Sequence, residues 1–329
     1  MNQLSIKKLA GAVFFLMILA LNIFLLVNCA PASGATGEKA KLILASQPSV
    51  FQPVIAREKG FFTEEGLDVE INQFSYGPPI VEAITAKNAD FGFLGDMPAY
   101  SAIANNAGVI VIGSIGVSSV MHGIAVRSDR NIDSLEDLKG KAIGVPFGSN
   151  AQPLVYLYLD KANLTENDVE IFNVAAADIT AALVRGDIDA GVVWEPVLSV
   201  AIKEGNNVKL LATAEGIKLF ADPIIARKEF IEAHPEETTK LLRALDRAGA
   251  WAHEHQQEAA ELQNKATEVD MEALLLTLAK KDLSAGINDE WLSSFEKGAH
   301  DAFKYGLLKK EINVRNYVNL EFLKAAGIQ

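Results

Sequence analysis

Short apolar runs alternate with helix-like stretches along the first two thirds of the chain. Residues 42–46 (Leu-Ile-Leu-Ala-Ser) form one such run, the pattern of a strand buried on both faces. Pro53 then opens a helix at its first turn, where a missing N–H is harmless. That helix is expected to reach Lys59, with Gly60 as its stop. Residues 68–74 read as a second strand. Pro78 and Pro79 open a helix carrying Ile80, Val81, Ile84 and Thr85, and residues 90–94 read as a third strand. Strands separated by helices of this length predict a parallel sheet with right-handed crossovers.

The same grammar recurs one hundred residues later. Lys41, Ile43, Ser49, Gln52 and Pro53 coincide with Lys141, Ile143, Ser149, Gln152 and Pro153, and Asp68-Val-Glu-Ile71 coincides with Asp168-Val-Glu-Ile171. With slips of a residue or two, Asp90-Phe-Gly-Phe-Leu-Gly-Asp-Met-Pro98 answers Asp189-Ala-Gly-Val-Val-Trp-Glu-Pro196, residues 109–112 answer 208–211, and Gly123-Ile-Ala-Val-Arg127 answers Pro223-Ile-Ile-Ala-Arg227. Ordered matches at a nearly constant offset predict two lobes of one design. The chain is expected to cross between them near residues 119–123 and 219–223. That division gives a first lobe of residues 40–122 and 223–329 and a second lobe of residues 123–222. From about Lys228 to Leu323 the period becomes helical. Pro235-Glu-Glu starts a helix with acids in its first turn. Leu241, Leu242, Leu245, Ala248 and Trp251 then recur at helical spacing, and residues 271–278 and 290–307 are further amphipathic runs. These helices are expected to pack on the first lobe.

The first thirty residues break the pattern. Lys7 and Lys8 precede an almost wholly apolar run that ends at Leu26-Val27-Asn28-Cys29. This is a targeting segment rather than part of the fold. Its end is similar to a bacterial lipobox, in which the cysteine bears the lipid, although Asn28 stands where a small residue is usual. An ordinary cleaved signal and an uncleaved anchor are the other readings, since the run approaches the ~20 residues that span a bilayer. All three place the body outside the cytoplasm, in the periplasm or on the outer cell surface. Residues 1–29 are thus read as signal and lipobox, with Cys29 as lipidation site, and residues 30–39 as a small-residue tether.

The 329 residues carry a formal charge of −12; without Lys7 and Lys8 the body has 28 basic against 42 acidic side chains, or −14. An acidic body without basic runs argues against nucleic acid. A bound anion must then be held by local dipoles rather than the overall field. Cys29 is the one cysteine, so no disulfide framework or cysteine metal site exists within one chain.

Ligands of open parallel sheets bind beyond the carboxyl ends of the strands. The turns there are residues 47–51, 75–77 and 95–97 in the first lobe and 147–151 and 194–195 in the second. Gly148-Ser149-Asn150-Ala151 leads from a strand into a helix, so its amides can face an oxyanion with the helix dipole behind them. Ser149 and Asn150 can add donors, or can simply cap the helix. Asp96 and Glu195 occupy equivalent places as first-turn acids or as partners for a cationic group on the ligand. Trp194, Phe51, Phe74 and Tyr76 are candidates for an apolar wall or for core. With Gln47, Gly95 and Met97, these turns supply the candidate ligand-binding set. The chain has no Gly-x-Ser-x-Gly elbow, no His-Glu-x-x-His and no phosphate loop, so no catalytic residue, metal or cofactor is expected. His253 and His255 lie two apart and do not share a helix face. His122 sits at a lobe crossing, in a ligand, hinge or packing role.

The motifs Gly95-Asp96-Met97-Pro98, Phe147-Gly-Ser-Asn-Ala151 after Asp137-Leu-Lys-Gly-Lys141, Asp187-Ile-Asp-Ala-Gly191 leading to Trp194-Glu-Pro196, and Phe74-Ser-Tyr-Gly-Pro78 carry a resemblance. Over residues 41–228 the chain resembles the alkanesulfonate/taurine/nitrate-binding family of periplasmic binding proteins, within the NMT1/THI5-like superfamily. The resemblance implies an α/β type II periplasmic-binding-protein fold: two Rossmann-like lobes, a central cleft and a helical C-terminal extension on the first lobe. It implies capture of a small anionic solute by lobe closure and delivery to an ABC permease and its ATPase, without catalysis. An aliphatic sulfonate or taurine leads, then nitrate. A monomer is expected, anchored to the membrane by lipid and without nucleic acid. The alternatives are a thiamine or pyrimidine-precursor binder, a sensor, or an enzyme on this scaffold (dehydratase or precursor synthase) using Asp96, Glu195 or His122.

Overall fold

The computed structural model describes residues 40–328; the leader, Cys29 and nearly all of the tether lie outside them. Two five-stranded sheets organise the chain. The first contains β1 (Lys41–Ser46), β2 (Asp68–Gln73), β3 (Phe91–Phe93), β4 (Val109–Ser118) and β10 (Phe220–Arg227), in the order β2-β1-β3-β10-β4. The second contains β5 (His122–Arg127), β6 (Ala142–Val145), β7 (Glu170–Asn173), β8 (Ala190–Trp194) and β9 (Val208–Thr213), in the order β7-β6-β8-β5-β9. The orders are identical when each strand is matched to its partner in the repeat. The sheets are mixed where a parallel sheet was expected. β10 runs antiparallel to β3 and β4, and β5 runs antiparallel to β8 and β9. The odd strand is in each case the one arriving from the other sheet, so it enters from the opposite end.

Helices α1 (Gln52–Glu58), α2 (Phe61–Glu64), α3 (Gly77–Thr85) and α4 (Asp96–Ala104) belong to the first unit. The second unit has α5 (Ala151–Lys161), α6 (Ile179–Arg185) and α7 (Val197–Glu204). Proline stands in the first turn of α1 and α3, and Gly60 at φ 79° ends the first helical stretch as the pattern predicts. The third strands carry a glycine because helices press on them. A Cβ on Gly92 would lie 2.7 Å from Ile84 and 2.8 Å from Ile80, and one on Gly191 would lie 2.7 Å from Ile179.

The tail adds α8 (Lys228–Ala233), α9 (Pro235–Glu254), α10 (Gln256–Thr267), α11 (Met271–Ala279), α12 (Asp289–Lys304) and α13 (Glu321–Ala326). α9 buries Leu241, Leu242, Leu245 and Ala248 in the core of the first sheet. Each fully buried leucine contributes roughly 1.5–3 kcal/mol, more than the difference in helix propensity between ordinary residues. α12 buries Trp291 and Phe295, and Phe295 packs on Tyr100 of α4 with ring centroids 4.7 Å apart. No helix among the described residues is long and apolar enough to cross a membrane.

One acid locks each sheet. Asp90 accepts the Ile43 N–H at 3.0 Å and pairs with Arg227; Asp189 accepts the Ala142 N–H at 3.0 Å and pairs with Arg130 at 3.0 Å. The first lock is the more deeply buried, since the Arg227 side chain is 20% exposed and that of Arg130 is 45%. Removing one partner of a buried pair strands the other. Asp90→Ala should therefore destabilise by about 3 kcal/mol, and Asp189→Ala by about 1–2 kcal/mol. Urea unfolding checks this, and equal losses would contradict the ordering.

Candidate functional site

The carboxyl ends of the parallel strands in both sheets turn toward a common junction. Gly95 precedes α4, and Asn150 precedes α5. The two turns touch rather than facing each other across an open gap. A Cβ on Gly95 would lie 2.4 Å from Asn150 Nδ2 and 2.6 Å from its Cγ. Gly95 has φ −71°, a backbone any residue adopts, so it is the missing side chain that the contact requires. Beside it, a Cβ on Gly148 would lie 3.3 Å from Pro78, and Tyr76 packs on the apolar core of the second sheet.

Charged side chains fill the junction. Asn150 Nδ2 donates to Asp222 Oδ1 at 3.4 Å, and Asp222 Oδ2 accepts from Lys281 Nζ at 2.9 Å. Lys218 Nζ lies 2.7 Å from Asp96 Oδ2. Lys280 Nζ reaches Glu195 Oε1 at 2.5 Å, and Glu195 Oε2 accepts the Ser199 N–H at 3.0 Å. Asp96, Glu195, Asp222, Lys218 and Lys281 are all buried. Burial raises the Asp96 pKa above the usual carboxylate value, against the pull of Lys218, and the nearby Asp222 charge adds to the rise. Tyr100 donates to the Phe295 carbonyl at 2.8 Å, and burial raises its pKa too. Gly298 leaves room for this group: its Cβ would lie 2.5 Å from Tyr100 Oη and 2.7 Å from Lys218 Nζ.

The candidates from the sequence divide into two groups. Gly95, Asp96, Asn150, Gly148 and Tyr76 lie at the contact between the units, and Glu195 flanks it. Phe51 and Met97 lie in the core of the first sheet, and Ala151 and Trp194 lie in that of the second. Gln47 is buried in a turn braced by Gln263, whose Nε2 donates to Pro48 O at 2.9 Å and Val50 O at 3.2 Å. The start of α5 is largely satisfied by its own turn. Gln152 Oε1 accepts the Gly148 N–H at 2.7 Å, Ser149 Oγ accepts the Ala151 N–H at 3.3 Å, and Ser149 Oγ itself donates to Pro146 O at 2.7 Å. Asn150 makes no side-chain cap.

Sequence reasoning missed Asp222 and three cations, Lys218, Lys280 and Lys281, at a place where backbone amides and polar side chains were expected to hold an anion. The repeat held one signal: His122 and Asp222 stand one hundred residues apart, each within the first three residues of a crossing strand. Lys280 and Lys281 come from the tail, which has no counterpart in the repeat. A surface hollow of about 710 Å³ lined by Ile110, Ile287, Val318, Leu320, Leu323 and Ile328 lies away from these turns.

Known proteins share this architecture. A Bacillus subtilis (strain 168) protein named for binding aliphatic sulfonates is 32% identical, over 94% of this chain and 96% of its own. The alkanesulfonate-binding protein SsuA from Xanthomonas axonopodis pv. citri, solved bound to MOPS, superposes with a TM-score of 0.79 at 23% identity, over 86% of this chain and 99% of its own. The desulfurization enzyme DSZB has the same fold, with a TM-score of 0.69 at 18% identity, over 88% of this chain and 99% of its own. Residues 47–259 match the NMT1/THI5-like family as a whole, and the chain belongs to that family.

Proposed function

We propose that this chain is the extracytoplasmic solute-binding component of an ABC importer, closing two lobes on a small anionic organic solute and handing it to a permease and its ATPase. An aliphatic sulfonate or taurine is the leading solute, with nitrate next. The observation that carries the reading is the junction itself: turns from two duplicated units meet with Lys218, Lys280 and Lys281 among them. Hinge closure of such lobes is a standard route to enclosing a small ligand. The family supports it, as do the names of the sulfonate-binding relatives. Lipidation of Cys29 would keep the protein beside its permease, and it works as a monomer.

Catalysis is the weaker reading. Asp96 and Glu195 are each paired with a lysine, which competes with either acting as a base toward a solute. Isothermal titration with ethanesulfonate, taurine and nitrate tests the assignment. One of them should bind one-to-one with no product formed. Silence from all three removes the anion reading, and turnover of any of them moves the protein to the enzymes.

Closure has its own test. Gly95→Val leaves the backbone unstrained but sets a branched side chain against Asn150. The variant should keep its urea midpoint and lose at least about tenfold in affinity, since 1.4 kcal/mol of blocked contact is tenfold. Small-angle scattering should show it more expanded than the parent. Unchanged affinity and dimensions would mean that these turns do not meet in solution.

A further inference from the structure

His122 opens β5 where the chain passes from the first sheet to the second, and its ring is 1% exposed. It stacks on Phe220 with ring centroids 3.7 Å apart and lies 6.5 Å from Trp194. Neither Nδ1 nor Nε2 meets hydrogen-bond geometry with a partner among the described residues, although the Asn150 side chain is near enough to act on the ring. A buried imidazole without a well-formed partner bears much of the loss of its hydration. Asp96 Oδ1 is also unpaired in the same cluster. These atoms converge on the junction that the proposed solute would occupy.

Charged and polar groups reach the ring from several elements. β10 supplies Asp222, the segment after α11 supplies Lys281, the segment before β10 supplies Lys218, and the turn before α5 supplies Asn150. Glu195, paired with Lys280, follows Trp194, and Asp96 lies behind Lys218. Three lysines thus face three carboxylates, and the neutral ring leaves the cluster without net charge. A monoanion closed into this space adds one negative charge with no counter-charge. A neutral imidazole can donate to the anion from one nitrogen only; the other would turn a lone pair toward acceptors. As imidazolium it donates from both.

We propose, resting on the anion-binding reading above, that His122 contacts the oxyanion of the solute and takes up one proton as the lobes close on it. The step is an association with a balanced charge: protein, anion and proton form one complex, and no covalent bond changes.

In the free protein, burial lowers the ring's pKa to about 4; Lys281 and Lys218 push the same way, while Asp222 and Asn150 oppose it. The bound anion raises it. Since the complex holds more protons than the free protein, affinity must rise as pH falls between the bound and free values, by at most about tenfold per pH unit. The test is isothermal titration of the whole protein from pH 8 to pH 5, in buffers of differing ionisation heat, with ethanesulfonate and nitrate, which carry a net negative charge; taurine, a zwitterion that brings its own counter-charge, is titrated alongside for binding alone. The expected result is a three- to tenfold gain per pH unit approaching pH 5, with uptake of nearly one proton. His122→Gln should bind more weakly and lose both the slope and the uptake. Imidazole ¹⁵N shifts of the unmodified protein at pH 6, with and without ethanesulfonate, should show His122 becoming protonated, whether or not the variant folds. Binding without a slope, a slope that survives His122→Gln, or a ring that stays neutral in the complex overturns the proposal and leaves anion binding intact. Failure of all three solutes to bind overturns both.

Discussion

The meeting of the Gly95 turn with the Asn150 turn is the constraint on which the rest of the molecule hangs. Two α/β units each present the carboxyl ends of their parallel strands, and the crossing strands β5 and β10 insert antiparallel so that the ends point at one another. A side chain at position 95 would hold the units apart. Its absence lets Asn150 reach Asp222, and through Asp222 the Lys281 that follows α11. The helical tail is therefore part of the junction as well as a buttress for the first sheet.

A cluster of three lysines and three carboxylates, buried except for the partly exposed Lys280, is an expensive way to join two lobes. Well-packed apolar residues of the same volume often do so with equal or greater stability. Stability alone does not explain the arrangement, whereas charge that can be re-partnered does. A solute oxyanion could share a lysine with its carboxylate, provided a proton enters to balance the added charge, and an apolar junction offers no such partner. Burial sharpens the effect, because the raised Asp96 pKa and the lowered His122 pKa both record how little water reaches the groups.

Much of the fold was legible because the duplication wrote it twice. Asp90 and Asp189 stand in equivalent motifs and do the same work, each accepting a backbone N–H from the neighbouring strand. The prolines of α1 and α3 and the glycine after Lys59 also act as local chemistry says they must. Mixed sheet direction was not legible, since periodicity carries no sign for a strand that arrives from another lobe. The turns that meet at the junction were legible through the rule that ligands lie beyond strand ends, yet Phe51, Met97, Ala151 and Trp194 went to the cores. A turn residue's side chain can point either way, and sequence alone does not choose. Lys280 and Lys281 were invisible for another reason: they follow an ordinary amphipathic helix, and only tertiary packing brings them to Glu195 and Asp222.

Closure must also be reversible if a solute is to be released. Outside the buried cluster, the units are tied by exposed contacts: Lys304 and Tyr305 to Asp160, each at 2.7 Å, and Lys203 to Asp270 and Glu272 at 3.1 and 2.9 Å. Exposed pairs of this kind contribute roughly 0–1 kcal/mol each and weaken with salt. They can orient the lobes but cannot hold them shut. The balance between open and closed then rests on the buried groups, where an unpaired His122 and an unpaired Asp96 oxygen oppose the ion pairs. A ligand shifts such an equilibrium only by the difference in its affinity for the two states. If the solute reaches these groups as proposed, unmet hydrogen-bonding capacity between the lobes creates that difference, because the solute would satisfy groups that their contact alone leaves stranded.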